Sequence, residues 1–313
     1  MTRALYFDCS AGMKALYETA DGMTEILPAL ELHIGDPERA ALPALLAGCT
    51  GVLNGHTKMS ADLLDALPDL KVIVFLGTGV ASYVDIEAAA ARGIAAYGIA
   101  GYGNRTIAEH TLALMLVGVR RVALLDREMR AGTWRPDSGF ELEGKTLGVI
   151  GLGGVGRTMV QLGTALGMKV IAWNRSGVPD GVSVEYVEID ELMRRSDVVT
   201  LHIDLVPETE GIIDRRRLEF LQPHAVLVNA ARGALVDEVA LADLLAQDRI
   251  GHAALDVYGT EPLPADSPFH TLDNVTLTPH AAWVSPEAAE RLLRMGIEKL
   301  RDELNGLEPG NGT

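Results

Sequence analysis

The sequence is poor in cysteine, and this shortage excludes two kinds of structural site. Only two cysteines, Cys9 and Cys49, occur among 313 residues, and they form no C-x-x-C pair. Neither a disulfide framework nor a cysteine-rich metal site is therefore expected, and a reducing compartment suits both thiols. We predict no bound metal and a cytoplasmic location.

Positive charge and long apolar runs are also scarce. Lys and Arg number 27 against 43 Asp and Glu, which gives a formal net charge of −16. Because nucleic acids and anionic membranes attract a basic surface, this charge argues against both as partners. No window holds about 18 unbroken apolar residues, so no transmembrane helix is predicted. The opening residues, MTRALYFD, lack the apolar core of a signal peptide.

Apolar residues nevertheless make up 48% of the chain, and they occur in short runs that alternate with helical patterns. Strands separated by helices indicate parallel βαβ units, so we predict an α/β fold with two doubly wound sheets. The predicted strands are 4–7, 30–34, 51–54, 71–76 and 94–97, then 146–150, 169–173, 197–202, 225–229, 251–256 and 275–277. The predicted helices include 37–47, 60–67, 84–92, a long apolar helix over 106–131 bent or divided at Gly118, and 286–304.

A glycine-rich loop follows the first strand of the second series, in the segment VIGLGGVGRTM. Gly151 permits a tight turn, Gly153 leaves room for a pyrophosphate, and Gly156 lets the helix pack closely on the strand. Gly154 and Val155 open the helix, whose N-terminal N–H groups attract phosphate. The position between strand and helix favours a dinucleotide site over a plain turn.

The second strand of this unit ends in Asn174, Arg175 and Ser176. NAD-binding domains usually carry an acid here that holds the ribose 2′-hydroxyl, whereas an arginine accommodates the 2′-phosphate of NADP. The segment therefore favours NADP over NAD. The alternative is that Asn174 holds the ribose of NAD while Arg175 faces solvent.

The glycine loop and the final helix together define the domain order. The glycine loop marks 104–283 as a Rossmann cofactor domain. The helix over 286–304 follows the last strand of that sheet with no place left in it. We therefore predict that 1–103 and 284–313 form a discontinuous, flavodoxin-like substrate domain into which the cofactor domain is inserted.

Charged side chains cluster at later strand ends. Arg232 follows VLVNAA, Asp256 and Glu261 lie in LDVYGTEPLP, and His280 and Trp283 lie in TPHAAW. Three of them have a structural alternative: Arg232 as a surface cation, Glu261 as a loop acid and His280 as a helix cap. Ligands of such sheets bind beyond the carboxyl ends of the strands, so the group indicates one crevice. An arginine there can bind a carboxylate with two charge-assisted hydrogen bonds.

These segments, in their order, resemble the D-isomer-specific 2-hydroxyacid dehydrogenase family, and in particular its glyoxylate and hydroxypyruvate reductases. The matching stretches are GYGNRTIAEH, GKTLGVIGLGGVGR, SDVVTLHI, LVNAARGALVDEVAL, GHAALDVYGTEPLP and TPHAAW, and LPDLKVIVFLGTGV matches more loosely. The resemblance implies a homodimer, with the long apolar helix forming much of the interface.

The resemblance also implies site roles. Arg232 would bind the carboxylate and keto oxygen of a 2-oxo acid, and His280 would exchange a proton with that oxygen. Glu261 would pair with His280 and favour its protonated form. Further cofactor contacts are implied for His202, Ala230 and Asp256, the last at the nicotinamide carboxamide. Substrate contacts are implied for Asn54, His56 and Trp283, and for the backbone N–H groups of Thr78 and Gly79.

Departures from the family pattern guide the choice of substrate. Asp204 stands where the family commonly has proline, and the loop LNGHT lacks the arginine found near it in relatives that act on phosphorylated substrates. We therefore expect a reductase of small 2-oxo acids such as glyoxylate or hydroxypyruvate. The alternatives are a phosphoglycerate dehydrogenase and a nucleotide-sensing corepressor or scaffold related to the C-terminal binding proteins.

Overall fold

A computed structural model describes residues 3–307 of the chain. The chain divides into two compact units, of which one runs up to Gly103 and resumes at Val284. The other unit is continuous and spans Asn104–Trp283. We refer to them as the split unit and the central unit.

The split unit contains a five-stranded parallel sheet in the order β2-β1-β3-β4-β5. This is the strand order of flavodoxin-like sheets. Its strands are β1 (Arg3–Cys9), β2 (Leu30–Ile34), β3 (Cys49–Asn54), β4 (Val72–Phe75) and β5 (Ala95–Gly98). Its first helices are α1 (Ala11–Thr19), α2 (Met23–Ile26), α3 (Leu42–Leu45), α4 (Ala61–Asp65) and α5 (Ile86–Ala91).

The central unit contains a seven-stranded parallel sheet in the order β12-β11-β10-β9-β6-β7-β8. This order contains the Rossmann pattern of two βαβαβ halves that meet beside its first strand, β6. The strands are β6 (Thr146–Ile150), β7 (Lys169–Trp173), β8 (Glu185–Tyr186), β9 (Val198–Leu201), β10 (Val226–Asn229), β11 (His252–Leu255) and β12 (Val275–Leu277). The helices are α6 (Asn104–Arg120), α7 (Val122–Arg130), α8 (Gly154–Ala165), α9 (Ile189–Arg195), α10 (Arg215–Leu218) and α11 (Glu238–Ala246).

Both faces of the seven-stranded sheet are covered, because alternate strand residues point to opposite sides. In β10, Leu227 lies in the core shared with α9, α10 and α11. Its neighbours Val226 and Val228 lie in the opposite core, with side chains of α6 and α8. The predicted fold class, two doubly wound parallel-sheet units, is confirmed.

The long helix predicted over 106–131 is divided, but not at Gly118. The break lies at Arg121, whose φ of 52° is left-handed and separates α6 from α7. Gly118 serves packing instead, because a Cβ there would lie 2.9 Å from Val226 Cγ1 and 3.0 Å from His252 Cδ2. The prediction at Gly118 is therefore wrong, since the close approach of α6 to the sheet accounts for that glycine.

The last helix, α12 (Pro286–Leu307), packs against β3 and β4 of the split unit. Gly51 makes room for it, because a Cβ there would lie 2.7 Å from Leu300 Cδ1. The Tyr97 hydroxyl also donates a hydrogen bond of 2.9 Å to Glu303. The helix is thus part of the sheet packing of the split unit.

Short elements account for the other differences from the sequence prediction. The helix predicted over 37–47 is a 3-10 turn followed by the four-residue α3. The sequence analysis did not predict α1, α2 or the two-residue edge strand β8. Within residues 3–307, no helix has both the length and the apolar character needed to cross a bilayer. The same residues include no group of three His, Cys, Asp or Glu side chains arranged to hold a metal ion.

Two buried histidines predict a pH-dependent stability. Burial, reinforced by the Arg121 guanidinium, lowers the pKa of His252 to about 4, and burial lowers that of His202 to about 3. An unfolded histidine titrates near 6.5, so on acidification the unfolded chain takes up the proton first. The contribution of these neutral histidines to the free energy of unfolding is therefore fully present above pH 6.5 and is lost as the pH falls toward 4.

We expect His252→Gln to flatten the dependence of the free energy of unfolding on pH. Between about pH 6 and 4.5 the slope should fall by roughly 1.4 kcal/mol per pH unit, the effect of one proton. Urea titrations across this range measure the slope. Above pH 7 the two proteins should differ only by a constant offset, and an unchanged acid slope would contradict the assignment.

Candidate active site

Three adjacent strands bring the predicted catalytic residues to one edge of the seven-stranded sheet. Asn229 of β10 lies in register with Leu255 of β11, which lies in register with Leu277 of β12. Because the strands are parallel, the segments that follow them leave the sheet at the same edge. Those segments carry Arg232, Asp256 with Glu261, and His280.

Glu261 and His280 form a hydrogen-bonded pair. The His280 Nδ1 atom lies 2.7 Å from Glu261 Oε2, while Glu261 Oε1 accepts a hydrogen bond of 2.9 Å from the Tyr258 backbone N–H. The carboxylate is thus fixed from its other side. With Nδ1 facing the carboxylate, Nε2 is the ring nitrogen left to exchange a proton with a ligand.

The backbone of His280 is held in an unusual conformation. Its φ of 51° is left-handed, which costs energy for a non-glycine residue and persists only where the surroundings enforce it. The His280 N–H donates to the Asp256 carbonyl at 2.8 Å. The Asp256 carboxylate accepts hydrogen bonds from the Thr278 hydroxyl at 2.5 Å and from the Ala281 and Ala282 N–H groups at 2.9 Å each.

These contacts bear on the role expected of Asp256. The residue is fully buried, and both carboxylate oxygens are occupied within the loop that carries His280. Burial alone would raise the pKa of Asp256, but hydrogen bonds from His110, Thr278 and the two amides outweigh it and hold the pKa below its ordinary value. The structure thus displays Asp256 as the anchor of the loop, and its contact with a nicotinamide stays a prediction.

Arg232 lies half-buried on a tight turn after β10. The Asn229 side chain shapes this turn, since it accepts from the Ala231 N–H at 3.0 Å and donates to the Arg232 carbonyl at 2.8 Å. The guanidinium contacts only the Ala231 carbonyl, at 2.6 Å, and no carboxylate of residues 3–307 forms an ion pair with it. Its charge is available to an anionic ligand.

A pocket of about 560 Å³ borders the Glu261–His280 pair. Its other walls are mainly apolar, and they include Tyr258, Leu263 and Leu277. Neither Arg232 nor the glycine loop contributes to the lining. The pocket is therefore a recess beside the pair, separate from the position expected for the cofactor.

The glycine loop has the geometry expected of a pyrophosphate cradle. Gly151 has a φ of 103°, and Gly156 lies so close that a Cβ there would be 1.9 Å from the Gly151 carbonyl oxygen. A Cβ on Gly153, by contrast, would meet nothing within 4 Å. Open space at Gly153, directly before the N-terminus of the twelve-residue α8, fits an approaching phosphate.

The neighbours of this loop are also among the predicted cofactor residues. A Cβ on Gly154 would collide with the Asn104 side chain, and one on Gly151 would lie 2.6 Å from the His202 carbonyl. Val155 is half-buried against the core. The Nε2 atom of His202 is buried with no hydrogen-bond partner among the described residues, and Ala230 is buried at the end of β10.

The three residues expected to select the cofactor lie on the turn after β7 and have different roles there. Asn174 accepts from the Leu152 N–H at 3.1 Å and donates to Ser176 Oγ at 3.1 Å and the Gly177 carbonyl at 2.7 Å. Its amide therefore ties this turn to the glycine loop. Arg175 is exposed, and within the described part of the chain its side chain has no hydrogen bond or ion pair. Arg175 is the free cation of this turn.

In the split unit, the Asn54 side chain holds its own loop. Its side chain is buried, and its amide bonds to the Thr57 N–H and carbonyl at 2.9 Å each. Both ends of the amide are thus occupied within residues 54–57, and the substrate contact that the resemblance implies for Asn54 stays a prediction. His56 is exposed and contacts Asp36 at 2.6 Å.

Thr78 and Gly79 follow β4, and Trp283 ends the central unit. Among the described residues, no acceptor pairs with the backbone N–H groups of Thr78 and Gly79. Both groups are thus available to an anion, as the resemblance implies. Trp283 is half-buried. The substrate roles of all three stay predictions.

Several residues that hold these loops were not predicted from the sequence. Asp8, fully buried near the end of β1, accepts from the N–H groups of Gly55, His56 and Thr57 at 2.7–3.0 Å. Thr278 and His110 contact the Asp256 carboxylate. Thr278 precedes the histidine in TPH, and His110 lies in AEH, so the motifs contained both but gave no sign of their contacts.

Comparison with known proteins assigns the chain to a family. The model of the D-isomer specific 2-hydroxyacid dehydrogenase NAD binding domain matches residues 112–282. A glyoxylate reductase of Korarchaeum cryptofilum is 31% identical over 304 residues, which cover 93% of this chain and 91% of that protein. The chain belongs to the D-isomer specific 2-hydroxyacid dehydrogenase family. The resemblance expected from its motifs is therefore confirmed.

Other relatives differ in length or in chemistry. A D-3-phosphoglycerate dehydrogenase of Mycobacterium leprae is 37% identical over 279 residues, and the chain spans about half its length, 52%. The TT0316 protein from Thermus thermophilus has a TM-score of 0.85 at 32% identity, over 99% of both chains. An acyclic imino acid reductase in complex with NADPH and D-Arg has a TM-score of 0.83 at 29% identity, over 97% of both chains.

Two glycine variants should separate ligand binding from folding. Gly153→Ala adds a methyl group in open space at a φ of −68°, so the melting temperature should change little. The same methyl group lies where a pyrophosphate would approach, so the Kd for NADPH should rise roughly tenfold or more, because a charge-assisted contact is weakened. Thermal unfolding and fluorescence titration measure the two quantities.

Gly156→Ala is the matched comparison. Its Cβ would lie 1.9 Å from a backbone oxygen, so this variant should lose stability as well as cofactor binding. Equal Kd values for Gly153→Ala and the parent would contradict the placement of pyrophosphate at this loop.

Proposed function

We propose that the protein is an oxidoreductase that transfers a hydride between a nicotinamide cofactor and a small 2-oxo acid/D-2-hydroxy acid pair. Glyoxylate and hydroxypyruvate are the substrates we favour. The observation that carries this proposal is the Glu261–His280 pair, placed at the same sheet edge as the unpaired guanidinium of Arg232.

The roles follow from this chemistry. When bound, the cofactor supplies or accepts the hydride at C2 of the substrate. His280 donates the proton from Nε2 to the keto oxygen during reduction, and takes it back during oxidation. Glu261 faces Nδ1, so it orients the ring and stabilises the imidazolium.

Arg232 supplies the charge that recognises the substrate. A guanidinium without a carboxylate partner can bind the planar carboxylate of a 2-oxo acid through two hydrogen bonds. The same cation would stabilise negative charge that develops on the keto oxygen. The unpaired N–H groups of Thr78 and Gly79 are proposed as further donors to the carboxylate.

The loop at residues 54–57 favours a substrate without phosphate. It contains no arginine, and the Asn54 amide is occupied. His56 lies beside the carboxylates of Asp36 and Asp8, which would repel a phosphate dianion. The opposing feature is Lys58, an exposed cation directly after the loop, which favours a phosphate. Phosphoglycerate dehydrogenase activity, the function named for several relatives, is therefore the second candidate.

Initial rates test both candidates and the scaffold alternative. Glyoxylate, hydroxypyruvate, pyruvate, phenylpyruvate and phosphohydroxypyruvate should each be assayed with NADPH and with NADH. We expect the highest kcat/KM with one of the first two. Turnover confined to the phosphorylated acid would favour the dehydrogenase candidate, and no turnover with any acid would favour a nucleotide-sensing corepressor or scaffold.

Substitution of the acid–base pair should separate chemistry from binding. His280→Asn should lower kcat by roughly 10²–10⁴-fold and leave cofactor affinity unchanged, because a proton-transfer group is removed. In Glu261→Gln, the limb of the pH–rate profile that needs protonated His280 should move to lower pH, because the amide does not stabilise the imidazolium. Steady-state rates over pH measure both.

Glu219→Gln is the control for lost charge, since Glu219 is exposed at the end of α10 and lies outside the three segments that carry Arg232, Glu261 and His280. It should reproduce the parent profile. A Glu261→Gln profile that coincides with that of the control would disprove the functional pair.

We further propose that NADPH is the preferred cofactor. Arg175 is exposed and unpaired on the turn after β7, where the 2′-phosphate of NADP would lie. No acid stands on this turn at 174–176 to repel that phosphate. Asn174 and Ser176 are bonded to each other, so we assign the discrimination to Arg175 alone.

Arg175→Ala should weaken NADPH and leave NADH almost unaffected. A charge-assisted contact with phosphate contributes about 1.5–3 kcal/mol, so the Kd for NADPH should rise roughly 10- to 100-fold. Arg249→Ala removes an equal charge at another exposed site and should change neither affinity. A parent enzyme with higher kcat/KM for NADH than for NADPH would contradict this proposal.

A homodimer is the assembly we propose. Apolar side chains are exposed along α6, α7 and the segment after them: Leu116 at 39%, Val122 at 49%, Met129 at 52% and Trp134 at 85%. Large apolar side chains at this exposure are typical of an interface. Light scattering should give about twice the chain mass of 33.4 kDa, and a monomer at micromolar concentration would contradict the assembly.

A further inference from the structure

His110 lies on α6, far from the catalytic residues in sequence, yet it contacts the loop that carries His280. Its Nε2 atom is 3.2 Å from Thr278 Oγ1 and 3.5 Å from Asp256 Oδ1. The Thr278 hydroxyl is in turn 2.5 Å from the same Asp256 oxygen. Two polar side chains, those of His110 and Thr278, therefore meet at the buried carboxylate of Asp256.

The proton positions in this cluster follow from the number of donors. A threonine hydroxyl has one proton, and the short contact places it toward the carboxylate. The Thr278 oxygen must then accept, so His110 Nε2 carries the proton that it donates. The hydrogen bonds run from His110 to Thr278 and from Thr278 to Asp256.

This chain of hydrogen bonds ends on the backbone around His280. Asp256 accepts from the Ala281 and Ala282 N–H groups through its carboxylate and from the His280 N–H through its carbonyl. Together these bonds surround the residue with the left-handed φ of 51°. His110 connects α6 to this set of hydrogen bonds.

We propose that His110 is a positioning residue for His280: through Thr278 and Asp256 it fixes the 278–282 loop so that the His280 ring meets Glu261. The role rests on the proposed function of His280 as the acid–base group. It ties α6, which begins the central unit, to the segment that ends it. A ring without a donor at position 110 would leave the Thr278 oxygen without its hydrogen bond.

Two pairs of variants test this role. His110→Phe and Thr278→Val keep the shape of the side chain but lose the hydrogen bond, whereas His110→Gln and Thr278→Ser keep a polar group. Thr276→Val is the matched control. Thr276 of β12 hydrogen-bonds His252 of β11 at 2.9 Å, and it has no hydrogen bond to Asp256 among the described residues. These five variants, and the double variant His110→Phe/Thr278→Val, are made in the chain of 313 residues.

We expect His110→Phe and Thr278→Val to lower kcat by about tenfold or more, the scale of one network hydrogen bond. The Kd for NADPH should not change, because the glycine loop is untouched. The pH–rate profile should move to lower pH, as in Glu261→Gln. His110→Gln and Thr278→Ser should recover most of kcat, and the double variant His110→Phe/Thr278→Val should be no worse than the poorer single variant.

A parent-like kcat and pH–rate profile in both His110→Phe and Thr278→Val would overturn the proposal, as would losses equal to those of Thr276→Val. Amide exchange of Ala281 and Ala282 provides a readout that needs no turnover. These amides should exchange faster in His110→Phe, and unchanged exchange would also overturn it. If the parent reduces no 2-oxo acid while exchange does accelerate, the proposed function fails and the positioning network stands.

Discussion

A fully buried carboxylate, that of Asp256, is the constraint on which the candidate active site depends. An ionised group removed from water costs several kcal/mol unless hydrogen bonds replace its hydration. The surrounding chain supplies them from the Thr278 hydroxyl and two consecutive backbone amides. The need to satisfy one charge thus decides the path of the loop, and the loop decides where the His280 ring lies.

The split unit repeats this arrangement at its own sheet. Asp8 is also fully buried at a strand end, and three successive N–H groups surround it. In both units a buried aspartate gathers the backbone of a loop at the carboxyl edge of a parallel sheet. The half-buried side chains of His280 and Arg232 and the Thr78 N–H are then not needed to hold these loops, because the loop geometry is fixed from within.

The features of the fold that depend on local sequence pattern could be predicted from the sequence. Alternating apolar runs and helical segments indicated the two parallel sheets, and Gly151, Gly153 and Gly156 predicted the strand–turn–helix geometry that the structure shows. The strand ends brought Arg232, Glu261 and His280 to one edge because parallel strands share their direction. These inferences need only periodicity, turn chemistry and strand direction.

Long-range contacts could not be read in the same way. The Asn54 amide is used within its own loop, Asp256 faces inward, and α6 ends at Arg120, beside the left-handed Arg121, rather than at Gly118. The Asn54 contacts are local, but the outcomes at Asp256 and Gly118 depend on residues distant in sequence, such as Val226 and His252 beside Gly118. A polar residue after a strand therefore indicates a functional edge, but only the folded contacts show whether its side chain serves a ligand or the loop.

We propose that the bound cofactor transfers hydride to C2 of a small 2-oxo acid while His280 protonates the oxygen. The most direct test is a single turnover with hydroxypyruvate and NADPH deuterated at C4 of the nicotinamide, with chiral analysis of the product. We expect D-glycerate that carries deuterium at C2 from one of the two C4 positions. Formation of L-glycerate, or reduction without deuterium at C2 from either position, would contradict it.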